Sequence, residues 1–186
     1  MTLFARVLLF LFLLAPLCQP AAGDPGQYVS DDDVAVVRAG DHFSVDMIAH
    51  APVPLEGAWD VLVDFEHMAD FMPNLRSSEV LERNGTVIRV RQTGVARYGM
   101  FSTRFDFVRE FALKPRREIR AHSQGGNVRR MDSVMKLEPE EGAVRLLYHA
   151  ELEPDFWMPP VIGPGFIRHE TAEQFSAMIR EMVRRR

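Results

Sequence analysis

The chain has 186 residues, of which 47% are hydrophobic, and a formal net charge of −4. This length and apolar content suit a single domain with one hydrophobic core. Acidic and basic residues are interspersed, which argues against the basic face of a nucleic-acid-binding protein, so we expect no nucleic-acid partner.

Residues 1–23 are typical of a secretory signal peptide. Arg6 precedes an apolar run over residues 7–15, and the small-residue stretch Pro20-Ala21-Ala22-Gly23 follows it. The run is shorter than the roughly 20 residues of a membrane-spanning helix. We therefore expect cleavage near Ala22 or Gly23 and a periplasmic or secreted protein without cysteine, because Cys18 is removed. An uncleaved anchor and a lipid on Cys18 are the alternatives.

Residues 24–41 carry a triple aspartate and are predicted to form an exposed lead-in, in which residues 34–37 could be a short strand. The next segment, His42–Ala51, alternates apolar and polar residues and is predicted to be the first strand of the domain. Its predicted inward residues are Phe43, Val45, Met47 and Ala49.

An amphipathic helix is predicted from Ala58 onward. Trp59, Leu62 and Val63 recur at helical spacing, with Phe65 and Met68 as further candidates, while acidic residues take the opposite face. Pro73 cannot continue a helix, so the helix is expected to end near Phe71 or Met72.

The sequence after Leu75 predicts an antiparallel meander. Glycine-containing turns, such as Asn84-Gly85, Gly125-Gly126 and Glu141-Gly142, separate apolar runs and indicate hairpins. The predicted strands are residues 76–82, 86–95, 98–113, 118–124, 128–137 and 143–153, which with the first strand make about seven.

A proline-punctuated loop is followed by a long predicted helix over residues 165–184. The arginines at its end suit the negative end of the helix dipole, and a membrane-docking patch is the alternative. The loop residues 153–160 include Phe156, Trp157 and Met158, which could form a lid, a membrane-touching tip or a cap on the core.

The segment from residue 58 to residue 80 resembles the START-like (SRPBCC) superfamily, in particular its polyketide cyclase/dehydrase and coenzyme Q-binding branches. The resemblance is carried by Trp59, Leu62, Asp64, Phe71, Pro73, Ser78 and Val80. It implies a START-like domain over residues 42–186 with an α+β helix-grip fold, in which a curved antiparallel sheet wraps the C-terminal helix. It also implies a cavity between the sheet and this helix, filled by a hydrophobic ligand.

One long strand supplies the clearest candidates for the cavity wall. Phe105, Phe107 and Phe111 alternate with charged residues, and Arg109 shares their parity. The full predicted lining is Phe105, Phe107, Arg109, Phe111, Met131, Met135, Trp157, Phe175 and Met178. An ordinary packed core would also use such residues.

A buried arginine needs a partner. The candidates for Arg109 are His149, Glu151 and Glu153, although these share the more polar face of the last strand and are expected to point to solvent.

The predicted function is an exported carrier of a lipid, quinone, sterol or related isoprenoid. The alternative is an aromatase/cyclase-like enzyme in which Arg109, Tyr98, His149 or Asp155 would orient or deprotonate a polyketone. A ligand-free interaction module is a third hypothesis. The histidines show no metal-ligand spacing, so we expect no metal and no cofactor. We also expect a monomer, and transient membrane contact stays open.

Overall fold

The structure is a computed structural model that describes residues 26–155 and 162–186. The predicted signal peptide and Trp157 lie outside these residues. The strands are β1 (Val34–Ala39), β2 (His42–Ala51), β3 (Leu75–Asn84), β4 (Val87–Tyr98), β5 (Phe101–Lys114), β6 (Glu118–Gly126), β7 (Val128–Glu140) and β8 (Ala143–Pro154). The α-helices are α1 (Leu55–Leu62), α2 (Met68–Phe71) and α3 (Gly163–Arg184).

The strands form one antiparallel sheet in the order β1-β2-β8-β7-β6-β5-β4-β3. Every strand from β3 to β8 pairs with its chain neighbour, as the hairpin signals predict. The long helix α3 packs against β1, β2, β4 and α1. The helix-grip fold is therefore confirmed, and the core lies between the sheet and α3.

The inward face of β2 is the one that the sequence predicts. Phe43, Val45, Met47 and Ala49 are all buried, whereas Ile48 on the opposite face is exposed. Apolar–polar alternation determines which face of this strand meets the core, because successive side chains point to opposite sides of the sheet.

The N-terminal lead-in is more ordered than predicted. Residues 34–39 form β1, which pairs with β2 and adds an eighth strand to the sheet. Val29 and Val34 are buried, and the Ser176 hydroxyl of α3 accepts from the Val29 amide at 2.9 Å and donates to the Val29 carbonyl at 3.0 Å. Val29 and Val34 thus anchor the segment to the core, while its other described residues are exposed or only partly buried.

The predicted continuous helix is wrong in its middle. Helix α1 ends at Leu62, a 3₁₀ turn covers Phe65–His67, and α2 ends at Phe71 as predicted. Asp64 at the break accepts from Arg185 at 2.7 Å and pairs with His67 at 2.6 Å, so a distant residue of the chain stabilises this turn. Trp59 is only partly packed against the core.

The predicted turn at Gly125-Gly126 is shifted by one residue, since both glycines belong to β6 and the chain reverses at Asn127. Gly126 has a φ of +106°, and a Cβ there would lie 1.9 Å from the Asp106 carbonyl oxygen. A β-bulge interrupts the pairing of β5 with β6 between Val108 and Arg109. The extra residue is Gln124 of β6, so the alternation of β5 is unbroken at Arg109.

Candidate functional site

A cavity of about 230 Å³ lies between the inner face of the sheet and helix α3. Strands β4 to β8, the α1–α2 region and α3 all contribute to its wall. Most lining side chains are apolar, and the described ones carry only two charged groups, Arg109 and Glu170.

The structure places eight of the nine predicted lining residues at this cavity: Phe105, Phe107, Arg109, Phe111, Met131, Met135, Phe175 and Met178. The ninth, Trp157, lies outside the described residues. Phe105 and Phe107 stack with ring centroids 5.0 Å apart, and Phe175 lies 4.9 Å from Tyr148. That these side chains contact a ligand stays a prediction.

Arg109 points into the cavity, as its parity with the phenylalanines predicts. Its Nη2 donates to Gln92 Oε1 at 2.5 Å, and its guanidinium carbon lies 5.0 Å from the centroid of the Phe111 ring. Its Nε is buried and has no hydrogen-bond partner among the described residues. Burial lowers the pKa of Arg109, but a guanidinium stays charged in a protein.

The predicted partners of Arg109 lie on the other face of the sheet. His149 bonds Asp46 at 2.8 Å and lies 3.1 Å from Glu151, which also contacts His42 at 2.5 Å. These polar residues therefore face outward, which is the orientation that the alternation on β8 favours.

Gln92 is a residue of the cavity wall that is absent from the lining predicted from the sequence. This residue is buried, and it lies diagonally across the β4–β5 ladder from Arg109, whose direct partner is Val90. A signal was present, because Gln92 has the parity of the buried residues Ile88 and Val90. A lone glutamine in an inward row marks a polar contact inside the cavity.

Tyr148 is a second polar group in the cavity wall. Burial raises the pKa of its hydroxyl. The hydroxyl also forms a hydrogen bond with Ser133 and interacts electrostatically with Arg109. The phenol is consequently protonated at neutral pH and able to donate.

Glu170 is a buried carboxylate of α3 at another part of the wall. It accepts from the Asn74 side chain at 2.5 Å and from the Arg97 backbone amide at 2.9 Å, so it ties α3 to β4 and to the segment before β3. Burial raises the pKa of Glu170 above the ordinary value of a glutamate.

The family model for polyketide cyclase / dehydrase and lipid transport matches residues 51–179. The chain belongs to this family. No curated protein sequence matches it.

Solved structures share the fold of this polyketide cyclase/lipid transport family member. The Zhui aromatase/cyclase from Streptomyces sp. R1128 has a TM-score of 0.67 at 16% identity, over 77% of this chain and 95% of that one. A STAR-related lipid transfer protein fragment from Xanthomonas axonopodis has a TM-score of 0.62 at 14% identity, over 82% and 99%. Human StAR-related lipid transfer protein 5 has a TM-score of 0.63 at 11% identity, over 82% and 87%. At these identities the likeness concerns the fold alone.

The residues suggested for a cyclase reaction do not converge in this family member. Arg109 lines the cavity, whereas His149 lies on the outer face and Asp155 is exposed and paired with Arg129 at 3.2 Å. The Tyr98 side chain lies outside the described part of the structure. Among the polar residues of the cavity wall, Gln92 bonds Arg109 and Tyr148 interacts with it electrostatically.

The described residues, 26–155 and 162–186, contain neither a cluster of metal-ligating side chains nor a helix able to span a membrane. Within these ranges no three His, Cys, Asp or Glu side chains are grouped so that they could hold a metal ion. No described helix is both long and apolar enough to cross a membrane.

Proposed function

We propose that this protein is an exported carrier that binds a hydrophobic small molecule, such as a lipid, quinone, sterol or isoprenoid, between its sheet and α3. The apolar cavity of about 230 Å³ carries this proposal. The family description, which includes lipid transport, and the shared fold of two lipid transfer proteins support it.

The apolar lining of the cavity favours binding of such a ligand, because the ligand's apolar surface is removed from water. Removing apolar surface from water gains about 25 cal/mol per Å², so enclosing about 200 Å² of ligand contributes roughly 5 kcal/mol before the costs of binding. Pockets for drug-sized ligands have volumes of roughly 300–1,000 Å³. The smaller cavity here favours a ligand with one hydrocarbon chain or a few rings over a two-chain lipid.

Export of the carrier rests on the sequence alone. Residues 1–23 have the pattern of a signal peptide. An exported carrier would keep an apolar passenger out of water on its way between membranes. Transient contact with a membrane surface at loading and release belongs to the same proposal.

The test is native mass spectrometry of mature protein, residues 24–186, purified gently from its native host and then extracted for lipids. We expect an apolar passenger bound one to one. A protein that carries nothing extractable, and that takes up neither lipid nor quinone probes, would contradict the carrier function.

A matched pair of variants shows whether the passenger lies in the cavity. Met131→Trp fills part of the cavity, whereas Met100→Trp places the same side chain at a fully exposed hairpin tip. We expect the passenger to be lost from the first variant and kept by the second, with unchanged circular dichroism in both. Equal occupancy would place the passenger elsewhere.

A cyclase activity on a polyketide-type substrate is the second candidate. It is supported by the fold shared with an aromatase/cyclase and by Arg109 and Tyr148 in the cavity wall. With a linear polyketone as substrate, Arg109→Ala should abolish cyclisation, and His149→Ala on the outer face should leave it intact. Turnover that neither substitution changes would contradict a role for Arg109.

A further inference from the structure

We propose that the ligand carries an anionic oxygen head group, either a carboxylate or a phosphate, and that this group binds Arg109 inside the cavity. The inference rests on the proposed carrier function and specifies the class of its ligand. Arg109 is charged, and no described acidic side chain lies near enough to balance its charge.

No acidic side chain of the described residues forms an ion pair with Arg109. Its hydrogen-bond acceptor is the neutral amide oxygen of Gln92, and its guanidinium carbon lies over the Phe111 ring. A cation enclosed among apolar groups is costly unless an anion or several hydrogen bonds compensate for the lost water. The site is therefore electrostatically incomplete as it stands.

The other charge of the cavity wall is too far away to complete it. Glu170 is bound to the Arg97 amide, and Arg109 pairs in the sheet with Val90. Arg97 is seven positions beyond Val90 and five beyond Gln92, which the guanidinium reaches. At the rise of a strand, these backbone positions are roughly 16–23 Å apart. Glu170 is also engaged by Asn74. One part of the wall thus presents a cation without a counter-ion.

The open donors of Arg109 are suitably placed for an incoming head group. A guanidinium carries its five N–H donors in its own plane. The guanidinium carbon lies over the Phe111 ring, 5.0 Å from its centroid. Gln92 takes one Nη2 donor, while Nε has no partner among the described residues. Tyr148, which shares the cavity wall and interacts electrostatically with Arg109, adds a hydroxyl donor.

These donors match an anion better than a neutral oxygen. Carboxylates and phosphates accept two parallel N–H bonds from one arginine, and such charge-assisted bonds are the strong ones. An alcohol or a ketone can accept a bond from Nε, but it leaves the positive charge unbalanced. A single-chain amphiphile fits both the charged and the apolar part of the cavity wall. Its anionic end would bind Arg109, and its chain would pack among Phe105, Phe107 and Met135.

The test compares ligands that differ only in the head group. Dissociation constants are measured by isothermal titration calorimetry for dodecanoate, dodecyl phosphate and 1-dodecanol, all below their aggregation concentrations. We expect one or both anions to bind about 10- to 100-fold more tightly than the alcohol, the range that one or two charge-assisted hydrogen bonds supply. The tighter anion identifies the head group.

Two variants assign the preference to Arg109. Arg109→Gln removes the charge and keeps polar hydrogens for Gln92, and it should bring the anion-to-alcohol ratio close to one. Arg109→Lys keeps the charge and should retain at least part of the preference. His149→Gln, on the outer face, is the control and should behave as the wild type.

The outcomes separate this inference from the carrier function. Equal binding of anions and alcohol by the wild-type protein would overturn the inference and leave the carrier function standing. A preference for anions that survives Arg109→Gln would also overturn it. Binding of none of the three compounds would also overturn the inference, and the carrier function would then be decided by the native mass spectrometry of the purified protein.

Discussion

Gly94 on β4 is the position where adding a single carbon should do most harm to the structure around the cavity. A Cβ at Gly94 would lie 2.0 Å from the Asn74 carbonyl oxygen and 2.4 Å from Cζ of Phe105. Real Cβ atoms do not approach so closely, so Gly94→Ala must displace backbone as well as a ring. We expect this variant to be strongly destabilised.

The loss of stability in Gly94→Ala can be estimated from the overpacking at Gly94 and the hydrogen bond of Asn74 that it disturbs. Overpacking of a well-packed site costs about 1–3 kcal/mol. The Asn74 carbonyl also accepts from the Val95 amide at 3.0 Å, and losing that bond costs roughly 0.5–1.5 kcal/mol more. The free energy of unfolding should therefore fall by about 2–4 kcal/mol, which lowers the melting temperature of a domain of this size by about 5–15 °C.

The assay is urea and thermal unfolding of the mature protein, followed by circular dichroism. Gly125→Ala is the matched control, because Gly125 is also a strand glycine and nothing lies within 4 Å of the Cβ it would gain. That variant should unfold like the wild type or slightly later. If the free energy of unfolding of Gly94→Ala is within about 0.5 kcal/mol of the wild-type value, Asn74 does not approach Gly94 as closely as described.

Three further predictions concern other parts of the molecule. Ser176→Ala leaves the buried backbone groups of Val29 without their partner and should cost about 1–3 kcal/mol in urea unfolding, with Ser176→Thr as a milder comparison. Hydrogen bonds from Arg184 and, to a smaller extent, Arg185 lower the pKa of Glu181 to about 2. The contribution of Glu181 to stability is therefore present at pH values above the ordinary pKa of a glutamate, and it is lost as the pH falls towards 2. Glu181→Gln should therefore lower the free energy of unfolding at pH 7 by no more than about 1 kcal/mol, and should lower it less as the pH falls towards 2. A loss that does not change with pH would refute this assignment. Phe107→Ala enlarges the cavity and should shift ligand preference towards longer chains in the same calorimetric assay, whereas an unchanged preference would show that the chain does not reach Phe107.

The residues that bound the cavity could be predicted from the sequence because their signal is local. Alternation on β5 places Phe105, Phe107, Arg109 and Phe111 on one face, and the structure finds all four at the cavity. Once apolar residues occupy alternate positions of a strand, the core must lie on that side. The hairpin signals likewise predict the neighbour pairing of β3 to β8, because short glycine turns reverse the chain directly.

What Arg109 contacts depends on the register between strands, which the sequence did not determine. A shift of one residue between β4 and β5 would turn Gln92 away from Arg109, since neighbouring residues of a strand point to opposite faces. At the break between α1 and α2, Asp64 accepts a hydrogen bond from Arg185, which is 121 residues further along the chain. Ser176 is likewise 147 residues from Val29, which it holds to α3. Local pattern determined which residues face the cavity, whereas only the tertiary structure decided which polar groups meet there, because these contacts join segments that are brought together by folding alone.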